Sequence, residues 1–326
     1  MPSGKGMIAK VKLFKLLKRW FNMLIGKSSF HVKQGEGKYY SINEIKGYYN
    51  DLTNKVSDKT ILDSNEIPIN ATIANLETYF PISIFQYGLG LYDLYLETKD
   101  TVYLNKFLKI ADWALDNISN SGMWDCMGKL NDTAHLTQSS MCQSEGVSVL
   151  LRAYRETKNE KYYENAKLAI DFMLKKVEDG GTALYFDDKI IFQEYVSKYN
   201  LSVLNGWIFS IFGLYDFTLV NKEKKYIDIL KDTIETMCLE LKKYDRKFWS
   251  NYDLMNTISS PAYHDLHIMQ LRILYKLFDK KEFEFYADKW EKYQENKIYK
   301  ALAMMIKLKQ KIFRNKYYDI NTSLVK

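Results

Sequence analysis

The residues best equipped for chemistry are a carboxylate and a set of phenols: Glu194 beside Tyr195, then Tyr252 and Tyr263. Together such groups can take up and release protons, which is general acid–base work. Other polar and aromatic side chains fall at comparable places near the starts of expected apolar helices: Tyr79, Gln86 and Tyr87, then Gln143 and Glu145, then Asn205. Any one of them reads equally well as a core tyrosine or a helix cap. Their recurrence in successive units points to one shared mouth. No Ser-His-Asp arrangement, nucleophile elbow or HExxH run is present, so acyl transfer and zinc proteolysis lack their usual signatures. His264 and His267 sit three apart on one helical face, a spacing that metal sites use. With no Cys or third His near in sequence, they read as hydrogen-bonded residues of an inner helix, and neither metal nor organic cofactor is expected.

Internal repetition says what must position these groups. Leu91-Tyr92-Asp93 returns as Leu214-Tyr215-Asp216 and as Leu274-Tyr275-Lys276, and Glu97-Thr98-Lys99 returns as Glu156-Thr157-Lys158. Around each lies an apolar helix, a short polar turn and an amphipathic helix. The units run over about residues 82–117, 141–175, 202–241 and 263–293, with turns at Lys99, Lys158, Lys222 and Lys280. A helix that is apolar all round is buried, and an amphipathic one faces water on one side. Stacked inner and outer helices predict an all-α fold, an incomplete α/α toroid of four to five hairpins. Between the second and third units, two β-prone runs around Asp187-Asp188-Lys189 predict a small inserted β-hairpin that carries Glu194 and Tyr195 to one mouth of the ring.

The chain of 326 residues carries 47 Lys and Arg against 40 Asp and Glu, a formal charge of +7. That balance suits an anionic partner. Without zinc-finger spacing, basic-aromatic motifs or a P-loop, nucleic acid is not expected as that partner. Aromatic residues reach 15% of the chain, which is compatible with a sugar cleft. Cys126, Cys142 and Cys238 are odd in number and widely spaced, so they read as reduced thiols. Residues 7–25 form a basic amphipathic pattern, with Val11, Phe14, Leu17, Phe21 and Leu24 on one face and five Lys or Arg between. The charges interrupt the apolar run, unlike a signal peptide, and predict a helix lying peripherally on the inner face of a membrane from a cytoplasmic location. Packing of this helix on its own domain is the alternative. The resulting division is a leading helix over 1–28, a connecting segment over 29–70, the toroid over 71–310 and a polar tail over 311–326.

Several motifs together resemble the heparan-sulfate and heparosan D-glucuronyl C5-epimerases. Tyr79-Phe80-Pro81-Ile82-Ser83-Ile84 with Gln86-Tyr87-Gly88-Leu89 is similar to that family's YPISIxQYGL segment, with Phe80 as an extra residue. The stretch from Gln143 to Leu151-Arg152-Ala153-Tyr154 resembles one ending in VRAY. Glu194-Tyr195, Ser202-Val203-Leu204-Asn205-Gly206 and Gly213-Leu214-Tyr215-Asp216 resemble EYP…SFVLNGF…GLYDL. Tyr252-Asp253-Leu254 matches YDL, and Tyr263-His264 with His267 and Gln270-Leu271 matches YHxxHxxQL. The order holds over about residues 70–295.

The resemblance implies a toroidal catalytic domain, often a homodimer, that converts glucuronate to iduronate within an acidic polysaccharide. It assigns catalysis to Glu194, Tyr195, Tyr252 and Tyr263. Substrate contacts are then expected from Tyr79, Gln86, Tyr87, Gln143, Arg152, Asn205, His264 and His267. Epimerisation at C5 removes a proton α to a carboxylate and returns one from the other side, so it needs an acid, a base and charge neutralisation. Glu194 suits the base, Tyr263 or Tyr195 the opposing donor, and Arg152 the carboxylate partner. Two departures qualify the match. Met255 stands where the family has Arg after YDL, and the residues ahead of position 71 are too few for the family's β-domain and its calcium site. A uronate lyase, or a non-catalytic glycan-binding protein, would use the same cleft.

Overall fold

The computed structural model describes residues 33–71, 77–126, 137–187, 189–197 and 200–313. The basic pattern over 7–25 and His135 lie outside the described residues. The described residues from Gln34 onward form one compact unit.

Four helical hairpins follow one another. Helix α1 (Pro81–Thr98) turns into α2 (Thr101–Asn117), α3 (Ser140–Thr157) into α4 (Glu160–Met173), α5 (Leu204–Val220) into α6 (Lys224–Tyr244), and α7 (Pro261–Phe278) into α8 (Lys281–Glu295). A further helix, α9 (Lys297–Phe313), comes last. Three of the hairpin turns are made by a residue in the left-handed region: Lys99 at φ 61°, Lys158 at 58° and Asp279 at 51°. That conformation ends a helix and redirects the chain. Asp100 and Asn159 then cap the outgoing helices by accepting from Val102 N and Lys161 N.

The apolar members, α1, α3, α5 and α7, form the inner ring, with α2, α4, α6 and α8 outside. Helix α5 buries residues all round, whereas α8 buries only Phe283, Ala287 and Trp290, one stripe at helical spacing. The inner helices approach closely. A Cβ at Gly213 of α5 would lie 2.5 Å from Ser144 of α3, so only glycine fits there. The Ser210 hydroxyl of α5 donates to Ser140 Oγ of α3 at 2.7 Å. This is an incomplete α/α toroid, as the repeats predict.

The described strands are short. β1 (Asn70–Ala71) pairs antiparallel with β2 (Glu77–Thr78) ahead of α1. The expected hairpin is β3 (Ala183–Phe186) with β4 (Lys189–Phe192), antiparallel, Ala183 opposite Phe192. Ile190 and Thr182 tie it to α6 and α4, through Thr236 Oγ1 and Met173 O respectively.

One expectation is corrected. The stretch expected only to connect, up to residue 70, is part of the core. Tyr48, Tyr49 and Leu52 are fully buried, and residues 36–49 run across the C-terminal ends of all four inner helices. Asp93 of α1 accepts from Tyr48 N at 3.0 Å, and Arg152 of α3 donates to Gly47 O at 2.9 Å. Asp216 of α5 accepts from the Tyr49 hydroxyl at 2.7 Å, and Lys276 of α7 pairs with Glu36 at 2.7 Å. The repeated Leu-Tyr-Asp motif thus supplies two of the four attachment points for a plug that closes this end. The opposite end holds the candidate site.

Candidate active site

The N-terminus of α5 gathers the site. Its N-cap, Val203, has no side chain that could accept a hydrogen bond, so the first amides of the helix need other partners. Leu204 N donates to Tyr252 O at 3.0 Å, and Gly206 N to the carboxylate of Glu194. A negative group is favoured at such a helix start. Gly206 is required for the approach, because a Cβ there would stand 2.3 Å from Glu194 Oε2. Gln193 fixes the strand that delivers Glu194: its side chain bonds Ser202 Oγ at 2.9 Å and Ser202 N at 3.1 Å, and its carbonyl accepts from Ser140 N.

Around Glu194 the remaining groups converge. Tyr195 and Tyr252 donate their hydroxyls to its carboxylate, and Asn205 Nδ2 donates to Oε2 at 3.3 Å. Tyr252 lies in a tight loop closed by Tyr252 N to Thr257 O, and its ring meets Tyr263 edge-on with centroids 4.9 Å apart. Tyr263 is the third residue of α7, behind the cap made by Ser260. Tyr195 stands in the same electrostatic neighbourhood as Tyr263. One carboxylate and three phenols therefore share one place, each phenol half-buried.

The electrostatics suit proton transfer near neutral pH. Burial pushes Glu194 up to about 7, opposed by the hydrogen bonds from Tyr195, Asn205, Gly206 and Tyr252. Burial, with the charge of Glu194, holds Tyr195 well above the usual phenol range, so it remains a proton donor. A second buried carboxylate, Glu145 of α3, accepts from Gln86 Nε2 at 2.9 Å, while its Oε2 has no hydrogen-bond partner. Burial pushes Glu145 to about 8; Gln86 and Lys55 work against that shift and Glu194 adds to it. The Lys55 ammonium is itself lowered by lost hydration, with Glu145 opposing.

Several expected substrate contacts are corrected. The Arg152 guanidinium is 1% exposed and committed to Asp216 at 2.6 Å, Ser148 O and Gly47 O, three turns down α3 at the plugged end. It does not reach the site. Gln143 spends both ends of its amide on Trp124, accepting from its N–H at 3.4 Å and donating to its carbonyl at 3.2 Å. It fastens a loop instead. Tyr87 is buried on the α1–α2 side, near Lys106 and Glu66. Tyr79 donates to Asp63 Oδ2 at 2.6 Å and packs on Trp113 at the entry to α1.

The histidines are core residues too. His264 stacks on Trp249 at 3.8 Å, accepts from Ser250 N at Nδ1 and contacts Trp290 O through Nε2 at 3.0 Å. With Nδ1 accepting, the proton sits on Nε2. Burial keeps His264 neutral, with its titration lowered to about 3, and burial likewise lowers His267 well below its ordinary value. Both are 0% exposed, so neither touches a polymer in this arrangement. Asn205 and Gln86 do stand at the site, but they serve Glu194 and Glu145. No cluster of three or more His, Cys, Asp or Glu arranged to hold a metal ion exists among the described residues.

Sequence reasoning placed no lysine here. Lys307 of α9 lies with Nζ 5.4 Å from the Tyr252 ring centroid and donates to Ile258 O at 2.7 Å. It falls beyond every motif quoted above, and one Lys in a helix of repeated lysines carries no signal of its own.

Residues 131–292 match the family profile described as the D-glucuronyl C5-epimerase C-terminus. The D-glucuronyl C5-epimerase of Caenorhabditis elegans is 26% identical over 216 residues, covering 59% of this chain and 35% of that one. An uncharacterized protein of Methanocaldococcus jannaschii is 29% identical over 155 residues, covering 46% and 50%. The chain thus spans between a third and a half of the length of these relatives. A crystal structure of a Listeria innocua protein superposes with a TM-score of 0.51 at 13% identity, over 72% of this chain and 73% of that one, a likeness of fold alone. Glu194, Tyr195, Tyr252 and Tyr263 all fall within residues 131–292, the span that is similar to the D-glucuronyl C5-epimerase C-terminus.

Proposed function

We propose that this protein epimerises glucuronate residues at C5 within an acidic polysaccharide, by removing a proton from one face of the ring and returning one to the other. The observation that carries the reading is Glu194, poised at about 7 and hydrogen-bonded to two phenols, with a third phenol against them. A base whose titration lies near the working pH is ionised often enough to act and basic enough to pull. Glu194 takes the C5 proton, and the electron pair of the broken C–H bond moves into the neighbouring carboxylate as an enediolate. Tyr263 gives its hydroxyl proton to C5 from the opposite side. Tyr252, bonded to Glu194 and packed on Tyr263, then carries the abstracted proton across, restoring carboxylate and phenol. The profile match over residues 131–292 and the C. elegans relative support uronate chemistry on a polysaccharide, and the choice of glucuronate polymer rests on them alone.

Proton NMR of a desulfated glucuronate polymer in deuterium oxide tests the reading. The wild type should wash deuterium into C5 and build up iduronate signals. Tyr263→Phe should retain its far-ultraviolet circular dichroism and lose the exchange. A wild type that exchanges nothing, or that produces unsaturated uronate with ultraviolet absorbance, would overturn it.

A further inference from the structure

A tyrosine that gives up its proton before it regains one passes through its phenolate, and a phenolate among buried carboxylates is stabilised by a positive charge close by. The site residues from the family match supply none: Arg152 is locked to Asp216 at the plugged end, and position 255, beside the Tyr252 loop, is Met. Helix α9 supplies one from outside the matched span. Its Trp249-centred packing seats Ala303 and Ile306 against the segment that carries Tyr252. Gln310 clasps the same segment from both sides, accepting from Ile258 N at 2.9 Å and donating to Asn256 O at 2.8 Å. Between these contacts Lys307 is directed over the Tyr252 ring, half-buried, with Nζ 5.4 Å from the centroid and held by Ile258 O.

We propose that Lys307 is a positioning residue of the epimerisation site, whose ammonium stabilises the Tyr252 phenolate during proton relay. The inference rests on the reading of Tyr252 as part of the proton pathway. Two features of the geometry support it. The Ile258 carbonyl accepts from the ammonium and holds it beside the Tyr252 ring. The titratable groups around the pair include Glu194 from the segment after β4, the buried Asp253 next to Tyr252 in its own loop, and Tyr263 and His267 from α7, with Lys307 itself from α9. Burial keeps His267 neutral, so within that set Lys307 is the positive member.

The test compares Lys307→Gln, which keeps a donor for Ile258 O and loses the charge, with Lys307→Arg, which keeps both. Two readouts are taken on folded protein. The first is the titration of Tyr252 itself, followed by NMR of protein labelled at the tyrosine ζ carbon and assigned with Tyr252→Phe. The second is the rate of deuterium wash-in at C5 as a function of pH. Lys307→Gln should move the Tyr252 titration upward by about one pH unit or more and slow the turnover rate about tenfold to a hundredfold with little change in KM, while Lys307→Arg stays near wild type. A Tyr252 titration indifferent to the loss of charge, or an Arg variant as slow as the Gln variant, would overturn the proposal. If the wild type exchanges nothing while the titration still responds to charge at 307, the epimerase reading falls and the electrostatic coupling stands.

Discussion

Replacing Glu194 by Gln should make the protein more stable and inactive, and the stability gain should appear only as pH rises. In the fold, burial lifts this carboxyl from an ordinary 4.5 to about 7. Below pH 4.5 the group is protonated whether the chain is folded or not, and it costs nothing. Between 4.5 and 7 the unfolded chain releases the proton while the fold retains it, so folding becomes progressively less favourable. Above 7 the penalty is constant at about 3 kcal/mol. Gln cannot ionise and escapes it. Its amide also presents an NH2 to a site built from donors, those of Tyr195, Asn205, Gly206 and Tyr252. That mismatch costs about 1 kcal/mol. The net gain at pH 8 is about 2 kcal/mol, or about 3 °C in thermal midpoint for a chain of this size. Near pH 5 the two effects cancel. Calorimetric scans of both proteins across that range measure it directly, alongside the deuterium assay. A difference in midpoint that stays flat between pH 5 and 8 would show that Glu194 does not bear a buried charge, and the base assignment would lose its physical ground.

Two other outcomes follow from the same structure. Arg152→Met should cost about 3–5 kcal/mol in denaturant titrations, because Asp216 is left buried without its partner, while C5 exchange per folded molecule stays at the wild-type level. His267→Asn should remove part of the acid sensitivity of the fold: a histidine held neutral far below its ordinary 6.5 stabilises the protein above that value and is lost as pH falls, by about 2 kcal/mol at pH 5. A pH-stability curve unchanged by the Asn substitution would contradict it.

The architecture was legible because its causes are local. Left-handed turns at Lys99, Lys158 and Asp279 follow the polar breaks between periodic runs, and the charge-free inner helices announce their own burial. The quartet of Glu194, Tyr195, Tyr252 and Tyr263 was legible because the motifs preserve their order. The substrate contacts were less so. Arg152 and the two histidines belong to the same motifs, but a motif does not say which way a side chain points along a helix. A three-turn offset sends Arg152 to the far end, and the Trp249 and Trp290 rings enclose His264. Nor could residues 36–49 be read as core, since their partners lie on four helices far along the chain. Lys307 was hidden for the same reason: its relation to Tyr252 is made by α9 folding back and by no spacing in the sequence.

The plug has a consequence for how the molecule is made. Glu36 and Lys276 are paired although 240 positions separate them, and Tyr49 waits for Asp216. During synthesis the first receptor, Asp93, follows within 45 positions, but Asp216 and Lys276 come far later, whereas each helical hairpin can form from neighbours as it leaves the ribosome. Seating of residues 36–49 can therefore be completed only after α7 has formed. Until then the apolar surface that Tyr48, Tyr49 and Leu52 bury in the finished fold is not fully covered, and exposed apolar surface of that kind promotes aggregation.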